Sequence, residues 1–154
     1  MREKDNMPKV CVYVLDHDYG NGKGGIRIKS GKIYLEDCKK STIEKGAEKG
    51  DLIFCIGGKR LGKIKDNQGK YYQKFIYAMK VQETRPPMSK DFCFLGDKAI
   101  DIPKELLSLI FDNGWVRKGA KYIDEPHFSK FEKFVEKQGK GKIGEHCDMK
   151  NKNY

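Results

Sequence analysis

The chain reads as an α+β fold, a small barrel of about five to seven mostly antiparallel strands with about three flanking helices. Three observations predict it. Residues 50–58 (Gly-Asp-Leu-Ile-Phe-Cys-Ile-Gly-Gly) form a short apolar run bounded by turn residues, which marks a buried strand rather than a helix. Residues 75–81 (Phe-Ile-Tyr-Ala-Met-Lys-Val) repeat that pattern downstream of a basic, glycine-bearing connection, so the two runs are expected to pair. Helix-start chemistry followed by apolar residues at helical spacing recurs at Ser41, at Pro103 and at Asp124-Glu125-Pro126.

The remaining elements follow in order. Residues 1–8 are polar and make a loose lead-in; residues 9–140 form a single globular domain; residues 141–154 form a polar C-terminal tail. Residues 9–15 (Lys-Val-Cys-Val-Tyr-Val-Leu) are β-branched and aromatic and predict a central strand. A long glycine-rich loop follows, from Asp16 to Gly25. Residues 26–29 predict a short edge strand, Ser30-Gly31 a turn, and residues 32–35 another strand. Ser41-Thr42-Ile43-Glu44 fits a capping box, with Gly50 as the C-terminal glycine of the helix it opens. Arg85-Pro86-Pro87-Met88 is an extended break, and Phe92-Cys93-Phe94 predicts a strand. Pro103 suits a first helical position, with Leu106, Leu107, Leu109 and Ile110 as the apolar face. In the last helix Phe128, Phe131, Phe134 and Val135 line one side as core.

Composition bounds the function. The 154 residues carry 32 Lys and Arg against 22 Asp and Glu, a net charge of +10, which favours a polyanionic partner. Most of the excess is lysine; arginine stands only at Arg2, Arg27, Arg60, Arg85 and Arg117. No long apolar span suggests a membrane helix or a signal peptide, so a cytoplasmic protein without membrane attachment is expected. The 5 cysteines include no CxxC pair, and three of them sit in apolar runs (Cys11, Cys55, Cys93), which speaks for core packing in a reducing compartment. His146-Cys147 has no second ligand pair at zinc-finger spacing, so neither a metal nor a cofactor is expected.

Candidate binding residues cluster at the ends of the predicted strands. His17 and Asp18 follow the first strand and face Gly20, where glycine permits close ligand approach. Lys39 and Lys40 precede a capped helix, a natural phosphate position. Gly57 and Gly58 precede Lys59 and Arg60, which resembles a backbone cradle with cations but lacks the Walker spacing and fits a hairpin connection slightly better. Tyr72 lies in a lysine-rich loop, the aromatic-plus-basic pairing used to stack bases, and Tyr77 is a further aromatic for a base-sandwiching pocket. Asp51 reads as a turn residue capping the strand entry. No nucleophile elbow, paired acidic metal motif or deaminase signature occurs, so nothing in the chain demands an enzyme.

Several pieces in order resemble a known family. Asp16-His17-Asp18-Tyr19-Gly20, then Leu35-Glu36-Asp37-Cys38-Lys39-Lys40, Gly50-Asp51-Leu52-Ile53, Ile76-Tyr77-Ala78-Met79-Lys80-Val81 and Phe94-Leu95-Gly96-Asp97-Lys98-Ala99-Ile100-Asp101-Ile102-Pro103 look like the nucleotide-modification-associated domain of the second type. The resemblance spans about residues 10–140 and implies a role near modified nucleotides, in bacterial and phage systems that modify DNA bases. Gly20-Asn21-Gly22-Lys23-Gly24-Gly25 departs from the Gly-Phe-Ala-Pro-Asn expected there. The arrangement is also similar to PUA-like domains, which include EVE and YTH domains, small barrels that cradle a base. The expectation is therefore a nucleotide or modified-base binding module, with nucleotide or nucleic acid as partner. Two rivals stand beside it: an enzyme of base or nucleotide modification using His17, Asp18 and Cys38 or Asp51, and a phage-type protein that sequesters a signalling nucleotide.

Overall fold

The computed structural model describes residues 7–18, 26–35, 47–63, 69–84, 87–111, 121–124 and 126–148. In chain order the elements are β1 (Val10–Leu15), β2 (Ile26–Lys29), β3 (Lys32–Leu35), β4 (Leu52–Gly57), β5 (Phe75–Lys80), β6 (Glu83–Thr84), β7 (Pro87–Ser89), β8 (Phe92–Phe94), α1 (Lys104–Phe111), β9 (Lys121–Ile123), α2 (Phe128–Glu136) and β10 (Gly141–Lys142). The class is α+β, as the sequence predicts. The barrel is corrected: the ten described strands form two open sheets, one of six strands in the order β10-β8-β5-β4-β1-β9 and one of four in the order β2-β3-β7-β6. Most pairings are antiparallel, but β1 runs parallel to β4 and β10 parallel to β8. The helix expected from Ser41 lies outside the described residues, as do Gly20, Lys39 and Lys40.

The layering follows from the period-two alternation of β1 and β4. Val10, Val12, Leu52, Phe54 and Ile56 face one way and pack against Leu106 and Ile110 of α1 and Phe128 and Phe131 of α2. Cys11, Leu15, Ile53 and Cys55 face the other way, toward Ile26, Ile33 and Leu35 of the small sheet. Both helices are too short to hold alone and owe their stability to this apolar face. The phenylalanine stripe is core: Phe131 packs edge-on to Phe54 at 5.1 Å between centroids, and Phe134 to Phe75 at 5.3 Å.

Local chemistry sets the connections. Ser30 and Gly31 both have positive φ (52° and 76°), which gives the two-residue β2–β3 hairpin the twist its strands need. The Asp51 carboxylate accepts hydrogen bonds from the Lys9 and Glu48 amides at 3.0 and 2.9 Å and so ties the starts of β1 and β4 together. A register shift at Cys55/Ile56 inserts Ile76 as a bulge, and Ile76 and Tyr77 both turn toward the small-sheet side.

Residues 141–148, read from composition as the start of a tail, are built into the domain. β10 pairs with β8, and the Ile143 amide donates to the Phe94 carbonyl at 2.9 Å. Gly144 sits so close to the Leu95 carbonyl oxygen that a β-carbon there would lie 2.0 Å from it. His146, Cys147 and Asp148 are buried. Lysines and glycines hid this segment, because its attachment runs through backbone bonds and a few buried side chains rather than through an apolar run.

Candidate functional site

At the carboxyl ends of the parallel pair β1 and β4 the helix-side face opens into a cleft of about 560 Å³. Strand ends of a parallel pair are a recurring ligand position, because side chains from two adjacent loops converge there without competing for ladder hydrogen bonds. It is lined by Val14 and Asp16 from β1 and its end, Ile56 of β4, Phe111 at the end of α1, and Lys59, Arg60, Tyr72 and Gln73 from the connection between β4 and β5. Lys59 and Arg60 are exposed, and Tyr72 keeps 45% of its surface in solvent. The Lys59 ammonium lies 5.5 Å from the centroid of the Tyr72 ring, so cation and aromatic face form one element.

Gly57 and Gly58 line this cleft, but their smallness answers to the protein itself. A β-carbon on Gly57 would lie 2.1 Å from the Tyr71 carbonyl oxygen, and one on Gly58 2.4 Å from Asp16 Oδ1. Their amides are also taken: Gly57 donates to the Lys74 carbonyl at 3.0 Å and Gly58 to the Leu15 carbonyl at 2.9 Å. The backbone cradle expected from sequence is thus closed, and the positive charge of the cleft comes from side chains.

The opposite face of the same strand ends is sealed and polar. Asp18 is 1% exposed; its carboxylate pairs with His146 Nδ1 at 2.7 Å and accepts from the Cys147 amide at 3.2 Å. Its own amide donates to Asp148 Oδ2 at 3.0 Å, and the Asp148 amide donates back to the Asp18 carbonyl at 2.9 Å. The His146 ring lies 4.8 Å from that of Phe94, and Phe94 flanks Tyr77, whose hydroxyl bonds that of Tyr13. Tyr71 borders this cluster. Burial, then the nearby Cys147, Asp97 and Asp148, pushes its hydroxyl up to about 12. Burial likewise pushes the Cys93 thiol up to about 11, as suits a core residue.

The structure therefore divides the predicted site residues. Gly57, Gly58, Lys59 and Tyr72 come together at the cleft. Asp18 is a fully engaged fastener of the C-terminal segment, and Tyr77 is 0% exposed within the sealed cluster, so neither lines the cleft. His17 is half-buried and is not among the residues that line the cleft. Sequence reading did not name Asp16, Gln73 and Phe111 as site residues; they lie in three separate segments that only the fold brings together. It also missed the His146–Asp18 pair, 128 residues apart; His146-Cys147 in a polar stretch was its one visible sign. A smaller groove of about 190 Å³ lies between β5, β8 and α2, but its Lys80–Glu132 and Lys140–Asp91 charges are paired.

Comparison of the chain with protein-family models, with curated proteins and with solved structures finds no match. No described helix is long and apolar enough to cross a membrane.

Proposed function

We propose that the protein is a nucleotide or modified-base binding module, with the β1/β4 cleft as its ligand site. One observation carries the reading: an open cleft of about 560 Å³ joins two exposed cations, Lys59 and Arg60, to the exposed ring of Tyr72. That volume lies in the range of small-ligand sites and accommodates a mononucleotide. In this reading the Tyr72 ring stacks on the base, Lys59 and Arg60 meet the phosphate, and Asp16 and Gln73 address the base edge. Arg60 brings a planar fork suited to two phosphate oxygens at once.

The resemblance to the nucleotide-modification-associated domain and to PUA-like folds belongs to the same proposal, and the setting proposed with it is DNA modification or phage–host conflict. Its support is the ordered set of segments from Asp16 to Pro103, together with a ligand cleft at strand ends. The test is isothermal titration with nucleoside mono- and triphosphates, unmodified and base-modified. Saturable binding that falls at least tenfold in Lys59→Ala/Arg60→Ala and in Tyr72→Ala supports the reading. Absence of heat with every nucleotide at millimolar concentration defeats it.

A further inference from the structure

The outer face of the four-stranded sheet presents a second basic surface, remote in kind from the cleft. Alternation along β2 and β3 sends Ile26, Ile33 and Leu35 into the core, with Ile28 packed against it. The same alternation sends Arg27, Lys29, Lys32 and Tyr34 outward. The register joins them into two cross-strand rows. Arg27 stands opposite Tyr34, which stands opposite Met88 of β7, and Lys29 stands opposite Lys32. None of these five side chains is sealed; each is half-buried or exposed. Among the described strand residues of this face the acidic one is Glu83, at the far edge opposite Met88.

The Lys29–Lys32 pair is the informative part. Like charges directly opposite across an antiparallel pair destabilise a sheet. Among the described residues no carboxylate lies within ion-pair distance of either lysine. The chain thus keeps two repelling ammonium groups on a sheet face beside an arginine, an aromatic ring and a methionine. A sheet face with outward aromatic and basic residues suits unstacked bases lying on the ring while cations track the phosphates. A double helix offers no exposed base face to such a surface.

We propose that the outer face of the β2-β3-β7-β6 sheet binds single-stranded nucleic acid, with Tyr34 stacking on a base and Arg27, Lys29 and Lys32 meeting the backbone. The surface acts independently of the mononucleotide cleft.

Fluorescence anisotropy with labelled dT20 and rU20 over a salt series tests this, using the whole chain. Lys29→Ala/Lys32→Ala is expected to flatten the slope of log K against log salt by about 1.4, since each phosphate contact on a single strand contributes about 0.7. Tyr34→Ala is expected to lower affinity about tenfold with the slope unchanged, and Tyr34→Phe to restore it. Lys104→Ala/Lys133→Ala, on the helix layer, removes the same net charge and is expected to leave affinity within twofold. Lys59→Ala/Arg60→Ala is expected to spare oligonucleotide binding, so failure of the cleft reading and failure of this one remain distinguishable. Circular dichroism confirms that each variant is folded. Equal losses in the Lys29/Lys32 and Lys104/Lys133 variants, indifference to Tyr34→Ala, or equal affinity for a 20-base-pair duplex would each overturn the proposal.

Discussion

Two faces of one pair of strand ends have opposite characters. On the helix side, β1 and β4 end in an open cleft whose charged groups, Lys59 and Arg60, project into solvent. On the small-sheet side, the same strands lead into Asp18, His146 and Asp148, all sealed and tied to one another or to backbone amides. The contrast teaches where polar side chains hold the fold and where they are left for a ligand. A buried carboxylate must have its hydrogen bonds satisfied by the protein, whereas an exposed cation is satisfied by water until a partner replaces it.

The largest expected effect breaks the sealed face. Asp18→Ala removes the acceptor of two hydrogen bonds and leaves His146 Nδ1 and the Cys147 amide without it in the interior. Such a loss costs about 3 kcal/mol, and urea denaturation should show it as a lower midpoint with an unchanged slope. A fall below 0.5 kcal/mol, on the order of an ordinary surface substitution, would show that the C-terminal segment is not fastened there.

Gly57→Ala probes the boundary between the faces. Its β-carbon meets the Tyr71 carbonyl, so about 1–3 kcal/mol of stability should go even though the residue lines the cleft. Were the glycine kept small for a ligand instead, stability would hold and only binding would change. The third comparison is the converse. Lys59→Ala/Arg60→Ala should leave the denaturation midpoint within about 0.5 kcal/mol while nucleotide affinity drops at least tenfold.

The smallest effect is a pH dependence from the sealed side. Tyr71 is held up near 12 in the folded protein against 10.0 for the free side chain. A raised folded value means its contribution is complete below pH 10 and is lost as pH rises toward 12, so stability should decline through that window. Tyr71→Phe should flatten this decline by about 1–2 kcal/mol when denaturation curves at the two ends are compared. An absorbance titration at alkaline pH should show one tyrosine fewer ionising late in the variant.

Much of the fold was legible because its signals are local. The apolar runs that became β4 and β5, the Ser30-Gly31 hairpin, the Phe92-Cys93-Phe94 strand and the phenylalanine stripe of α2 each announce themselves within ten residues. Half of the cleft was legible for the same reason, since Gly57, Gly58, Lys59 and Tyr72 stand in or beside one basic connection. Other features were not. Parallel pairing of β1 with β4 leaves no mark in either strand, because a strand buried on both faces is apolar throughout whichever way its neighbour runs. Phe111 reached the cleft through the packing of α1, and Asp16 through the path of the chain just beyond β1, which goes on to bury Asp18 against His146.

By itself the sequence determined the α+β class, the positions of β1 to β5 and β8, the basic character and the aromatic-cation chemistry near Tyr72, because each rests on residue type and short spacing. Only the tertiary structure decided that the sheets stay open, that His146 and Asp148 seal the far side of β1, and that Arg27, Lys29, Lys32 and Tyr34 share one outer face. These depend on contacts between residues far apart in the chain, whose partners no local pattern names.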